Sequence, residues 1–369
     1  MTVTVAVNDP RPSPLARYLL LAYVLLIVYG SLHPFSGWRD QGASAFAYLS
    51  GHLPRYITAF DLLTNFAAYL PLGFLALLAL HPRLRGAFAL AVAGLAGCLL
   101  SLALEALQTY LPSRIPSNLD LATNGLGAFA GAGLALRFGV GLLGSGRMHA
   151  LRHRWFLPGH QYDLGLVLLA LWLFTQLNPE TLLFGNGDLR GLLGPVPATL
   201  HPAEVFIQGE AAVAACNLVA LGLFVSCLMQ DQRPLLRLLL VLLAAALGLK
   251  TVAVGELLKA QQVFAWLTPG ALLGLTGGTL VLMLALALPR AARRALAGLL
   301  LMAATVLVNL TPENPYFADA LQQWPQGYFL NFNGVTHLVS LAWPFVALFY
   351  LMLLAPRPAA ETPASPGKL

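Results

Sequence analysis

The chain has 369 residues, of which 58% are hydrophobic and 10% charged, with a mean hydropathy of +0.73 and a formal charge of +6. Apolar runs close to the ~20 residues that span a bilayer recur throughout, which excludes a water-soluble globular domain and predicts an all-α, polytopic transmembrane helical bundle. The basic residues are spread over short segments between those runs, so the positive charge argues for a topology signal and against nucleic acid as a partner.

About ten spans are predicted. A flexible cytoplasmic tail, residues 1–14, precedes the first span, 16–32, which follows Arg11 and Arg17 and runs into Ser31-Leu32-His33-Pro34 without a small-residue cleavage site. It reads as a retained signal anchor. The second (61–80), third (86–108) and fourth (119–138) complete a four-helix domain over residues 15–146. Residues 147–162 are predicted as a basic cytoplasmic linker lying against anionic headgroups. A second four-helix unit, residues 163–289, holds spans at 163–178, 206–229, 235–256 and 265–288. A final helix pair in residues 290–355, with spans at 294–310 and 335–354, leads into a flexible cytoplasmic tail over 356–369.

Ten spans put both termini on one side. With the N-terminus inside, 15 of the 21 Lys and Arg residues fall on cytoplasmic segments, and only Arg39, Arg55, Arg114, Arg190, Lys250 and Lys259 lie outside or within spans. The positive-inside bias therefore places both termini in the cytoplasm.

The two four-helix units read as diverged parallel repeats. Aligning Gly73 with Gly222 sets Asp61 against Glu210, while Glu105 faces Glu256, and Gly127 and Gly131 match Gly274 and Gly278. The endings Leu32-His33-Pro34, Leu177-Asn178-Pro179 and Leu310-Thr311-Pro312 recur as well. In this alignment the second copy lacks most of the polar set, with Ala214 for Asn65, Lys259 for Gln108, Leu267 for Asp120 and Ala271 for Asn124.

That polar set is the main functional lead. Asp61, Asn65, Glu105, Gln108, Arg114, Asp120 and Asn124 stand in an otherwise apolar stretch, and a carboxylate at bilayer depth costs about 2.5–3.5 kcal/mol on insertion scales. Asp61 and Asn65 share a helix face, as do Glu105 with Gln108 and Asp120 with Asn124. All three pairs come to the outer interface in the predicted topology, with Arg114 in the short loop between two of them. Read singly, Asp61 and Asp120 also suit helix N-caps, Asn65 and Asn124 interhelical hydrogen bonds, and Glu105 a structural pair with Arg114. Gly125, Gly127, Gly131 and Gly133 are expected to let helices approach closely.

The ordered pattern Asp61-x-x-x-Asn65, Pro71-Leu72-Gly73-Phe74, Glu105-x-x-Gln108, Arg114 and Asp120-x-x-x-Asn124-Gly125-x-Gly127-x-x-x-Gly131 resembles the VanZ-like membrane protein family over about residues 16–138. The resemblance implies a cell-envelope role, with the resistance to the glycopeptide teicoplanin for which the family is named as its best-known setting. It supplies no established biochemical activity.

Three functions follow. One is a non-catalytic protein that binds a lipid, a lipid-linked envelope precursor or a partner through the polar cluster, with Asn65, Gln108, Arg114 and Asn124 as binding residues. The second is an enzyme acting on a lipid-linked substrate, with Glu105 transferring protons, Asp61 and Asp120 orienting it or holding a metal, and Arg114 binding an anionic group. The third is a carrier, which parallel repeats and a one-sided cluster count against. The sequence names no cofactor, and the carboxylates have no diagnostic metal spacing.

Overall fold

The computed structural model describes residues 14–51, 58–144, 147–193, 202–258, 263–312 and 330–354. The expected tails, with Arg11, Arg357 and Lys368, lie outside the described residues, as do Arg55 and Lys259.

Among the described residues the chain is all-α, with twelve α-helices and no sheet. They are α1 (Pro14–Leu32), α2 (Ala59–Leu80), α3 (Gly86–Gln108), α4 (Asn118–Leu134), α5 (Arg147–Trp155), α6 (His160–Thr175), α7 (Arg190–Leu193), α8 (Ala203–Leu228), α9 (Leu235–Leu258), α10 (Pro269–Ala285), α11 (Arg290–Leu310) and α12 (Leu330–Leu353). Seven of these, α1, α2, α3, α8, α9, α11 and α12, are long and apolar enough to cross a membrane. α4, α6 and α10 coincide with the other three expected spans but hold only 17, 16 and 17 residues. At 1.5 Å per residue they rise about 24–26 Å, short of the ~30 Å hydrocarbon core. α4 continues into a π-helical segment, Ala135–Gly144, which lengthens it.

Contacts divide the chain into two compact units. The first draws on Met1–Thr181, Leu228–Trp266 and Asn314–Leu341, the second on Leu182–Cys227, Leu267–Glu313 and Ala342–Leu369.

In the first unit α2, α3 and α4 pack into a tight bundle with α1 against it. Its buried core includes Leu77, Ala93, Ala132 and Ala135 toward one end and Tyr69, Leu72, Leu104 and Ala128 toward the other. Glycines set the closest approach: a Cβ on Gly131 would lie 1.9 Å from the Leu70 carbonyl oxygen, and one on Gly127 2.3 Å from that of Phe66. Gly73 of α2 meets the Ala128 oxygen at 1.9 Å in the same way. Helices that touch through backbone gain dispersion contact where burial against lipid offers no hydrophobic drive. Gly133 departs from the expectation, since a Cβ there would meet nothing within 4 Å.

The basic stretch after α4 forms helix α5. Arg152 pairs with Asp163 at 2.5 Å, and an antiparallel bridge joins Phe156 to Met229. In the second unit α10 lies against α8, where Gly274 and Gly278 admit Ala211, Ala214 and Ala215. Asn309 of α11 holds the loop before α7, donating to the Gly187 carbonyl at 2.8 Å and accepting from the Leu189 amide at 2.7 Å.

The three recurring Leu-x-Pro endings share a device that their sequences do not contain. Arg114 donates to the His33 carbonyl at 2.8 Å, Lys250 to that of Asn178 at 2.7 Å, and Arg190 to that of Thr311 at 2.9 Å. A chain that turns off at proline leaves its last helical carbonyls without amide donors. A cation supplies the donors and complements the negative end of the helix dipole.

Candidate functional site

The cluster is assembled around two helix starts and one helix end. α2 begins at Thr58, whose hydroxyl oxygen accepts from the Asp61 amide at 3.1 Å and donates to the Asp61 carboxylate at 2.6 Å. α4 begins at Ser117, whose Oγ accepts from the amides of Leu119 and Asp120 at 3.1 and 3.4 Å. The N-caps are therefore Thr58 and Ser117, with Asp61 and Asp120 three residues on, where a carboxylate still meets the positive end of the helix dipole. The structure corrects the capping role expected of the two aspartates by one turn.

Glu105, one turn from the end of α3, is buried. Its Oε2 accepts from the Ser117 amide at 2.8 Å, so the carboxylate of one helix fixes the cap of the next. It makes no ion pair with Arg114: among the described residues the pairs are Arg152–Asp163 and Arg190–Asp188. The Arg114 guanidinium instead turns to the end of α1, where Nη2 donates to the carbonyls of Gly30 and His33 at 2.9 and 2.8 Å. Burial lowers the proton affinity of this guanidinium and the neighbouring charge of Glu105 partly restores it. Gln108 joins Arg114 in that task, donating to the Ser31 carbonyl at 3.0 Å.

Asn65 approaches the Asp120 carboxylate, with Asp61 and Glu105 in electrostatic range of it. Asn124, one turn deeper on α4, donates to Ser101 Oγ at 2.9 Å. The structure thus brings together Asp61, Asn65, Asp120 and Glu105, sets Asn124 beneath them, and turns Gln108 and Arg114 toward α1. Among the described residues no three His, Cys, Asp or Glu side chains converge in a way that could hold a metal ion. Asp61, bound to its own cap and exposed, does not join Glu105 and Asp120 in a ligand set.

Residues 35–51 form a roof over the ends of α3 and α4. Arg39 donates its amide to the Tyr110 carbonyl at 3.0 Å, Gln41 its side chain to that of Thr109 at 2.9 Å, and Tyr48 its hydroxyl to that of Leu102 at 3.3 Å. Asn118 reaches back to the Gly51 carbonyl at 3.1 Å. The upper side of this roof exposes Phe35, Trp38, Phe46 and Leu49, a composition suited to the headgroup boundary. Among the described residues, three buried polar atoms of Arg114, Asn118 and Asn124 have no hydrogen-bond partner: Arg114 Nε, Asn118 Oδ1 and Asn124 Oδ1.

Sequence reasoning missed Thr58, Ser117, Ser101, Tyr48 and the α1 carbonyls. The caps were legible, since Thr58-x-x-Asp61 and Ser117-x-x-Asp120 have capping-box spacing. Ser101 and Tyr48 carry no local signal, because their partners lie far along the chain.

Seven helices long and apolar enough to cross a membrane, with no sheet among the described residues, define a multi-pass membrane protein of all-α fold. Its first third, residues 16–139, is matched by the VanZ/LLP1 family and is a VanZ/LLP1 domain. No curated protein and no solved structure matches the chain.

Proposed function

We propose that the VanZ/LLP1 domain binds a lipid-linked or other cell-envelope ligand through the cluster under the 35–51 roof. The observation that carries this reading is the unfilled hydrogen-bonding capacity there. Buried polar groups are nearly always satisfied, and each orphan costs about 1–3 kcal/mol. Arg114 Nε offers a donor, and Asn118 Oδ1 and Asn124 Oδ1 offer acceptors, so a ligand bearing both hydroxyl or amide groups and an anionic group would fill them. The exposed aromatic rim of the roof suits a ligand arriving along the membrane surface.

In this reading α4, α6 and α10 also cross the membrane, giving ten spans with both termini in the cytoplasm. The ends of α2, α3 and α4 that carry the cluster then face outward, in the inner membrane of a bacterium. The four-helix stretch over residues 163–289 is a diverged copy without the site. Its α10 is capped by Thr268, which accepts from the Ala271 amide as Ser117 does in α4. With those caps in register Gly278 falls opposite Gly127, and their neighbours Ala215 and Phe66 correspond as well once Gly222 is set on Gly73. This register sits one helical turn from the alignment of Gly127 with Gly274, and it puts Ala271 against Asp120 and Leu275 against Asn124. Glu210, set against Asp61, accepts from the Thr268 hydroxyl at 2.5 Å, so its carboxylate is committed to the helix cap.

The test is to incubate the purified full chain with envelope lipid extract, and to measure both retained lipids and products by mass spectrometry. Wild type is expected to retain a ligand unchanged, with weaker retention in Asp120→Asn and Arg114→Ala. Product formation abolished by Glu105→Gln while retention persists would replace this reading with catalysis. Equal retention in all variants would remove the site.

A further inference from the structure

We propose, taking the cluster as the ligand site described above, that its ligand carries a primary ammonium, seated in a niche between Asp120, Glu105 and Asn124.

Three helices build the niche on two levels. Asn65, Glu105 and Asp120 form the level nearer the helix ends, and Tyr69, Ser101 and Asn124, each one turn deeper on the same helix face, form the floor. Contacts close the floor: Asn124 Nδ2 donates to Ser101 Oγ at 2.9 Å, and the Tyr69 hydroxyl meets Ser101. All three floor residues are buried, Asn124 to 6% exposure. Above them exposure falls from Asp61 at the start of α2 through the half-buried Asp120 to Glu105 at 4%, so the niche opens beside Asp61 and closes at Glu105. A helical side chain leans toward the N-terminus of its own helix, and for Asn124 that direction is Asp120. The Asn124 amide is therefore aimed into the niche, and its Oδ1 has no partner among the described residues.

Charge and donor count identify the occupant. Asp61, Glu105 and Asp120 stand against one guanidinium, that of Arg114, which is turned to the Gly30 and His33 carbonyls. Among the described residues neither Glu105 nor Asp120 has a cation at ion-pair distance. The starts of α2 and α4 and the end of α3 together add about half a positive charge from their dipoles, too little to offset the surplus carboxylates. An ammonium supplies the missing charge and brings three N–H donors. Three acceptors match them: the Asp120 carboxylate, Asn124 Oδ1, and Glu105 Oε1, since Oε2 is spent on the Ser117 amide. A quaternary ammonium is received by aromatic faces, whereas carboxylates and amides dominate these walls, so the amine is primary.

The experiment equilibrates the purified full chain with phosphatidylethanolamine, its N-methyl and N,N-dimethyl forms and phosphatidylcholine, in equal amounts and with the same acyl chains, and measures the retained lipids by mass spectrometry. The series removes N–H donors one at a time while charge and phosphate stay the same. Wild type should favour phosphatidylethanolamine over phosphatidylcholine by roughly tenfold, with the methylated forms ranked between them. Asp120→Asn should bring the ratio near one, and Asp120→Glu should preserve it. Equal retention along the series in wild type, a result that needs no variant to fold, would overturn the ammonium; if Arg114→Ala still lowered that retention, the ligand site itself would stand. An unchanged ratio in Asp120→Asn would overturn the seat in the niche. Equal retention of every lipid by wild type, Asp120→Asn and Arg114→Ala would remove the site and the ammonium together. The source of the amine is decided by O-phosphoethanolamine, the same head without acyl chains: displacement of the lipid at equal concentration would support the ammonium on a soluble ligand, and resistance to it would support the ammonium on a lipid.

Discussion

At the residue scale, Glu105 combines two duties. Its Oε2 holds the Ser117 amide at 2.8 Å, and its charge lies near those of Asp120 and Arg114. Glu105→Gln keeps an acceptor for that amide, so thermal unfolding in detergent should change little. Glu105→Ala leaves the buried amide unpaired and should cost about 1–3 kcal/mol. Tyr48 gives a pH test of the roof. Burial first, and the Glu105 charge second, hold its phenol above the usual value of 10.0. The folded state thus binds the proton more tightly than the unfolded one, so the stabilisation is complete below pH 10 and fades as pH rises through the folded value. Melting followed from pH 8 upward should show a decline that Tyr48→Phe lessens. An identical decline in the variant would detach Tyr48 from that loss.

At the element scale, the α2–α4 seam depends on the absence of side chains at particular positions. Gly131→Ala would press a Cβ onto the Leu70 carbonyl and should destabilise the domain by about 1–3 kcal/mol. Gly133→Ala faces open space and should be neutral or stabilise the helix by about 0.5–1 kcal/mol. Unfolding midpoints of the two variants should therefore move in different directions or by clearly different amounts. The helices themselves were legible because long apolar runs ending at Pro34, Pro179 or Pro312 report their own length. The roles of the glycines were only half legible: spacing named Gly127 and Gly131 correctly, but the same rule included Gly133, because which side of a helix meets a neighbour is set by packing. Arg114 was recognised as unusual and assigned to an anion. What it does in the structure depends on carbonyls at Gly30 and His33 about 80 residues earlier, which no local pattern announces.

At the scale of the whole molecule, charge distribution predicts orientation and the cluster inherits it. A reporter fused after Arg114 should be exposed on the outer face of the membrane, and a cytoplasmic reporter there would invert the topology and move the site to the other leaflet. The polar set itself was read from the sequence because charges in apolar helices are costly. Its division of labour was not, because Gln108 and Arg114 differ from Asn124 only in which distant group each one faces. The central claim, that the cluster under the roof is a ligand site, is tested most directly at Asn124, whose Oδ1 is buried with no partner among the described residues. Binding of a lipid-linked envelope precursor to the full chain in lipid nanodiscs should be compared between wild type and Asn124→Leu. Loss of a buried hydrogen bond to the ligand predicts roughly tenfold weaker binding by the folded variant, while loss of the bond to Ser101 Oγ lowers its unfolding midpoint. Equal affinity in the two proteins would contradict the account.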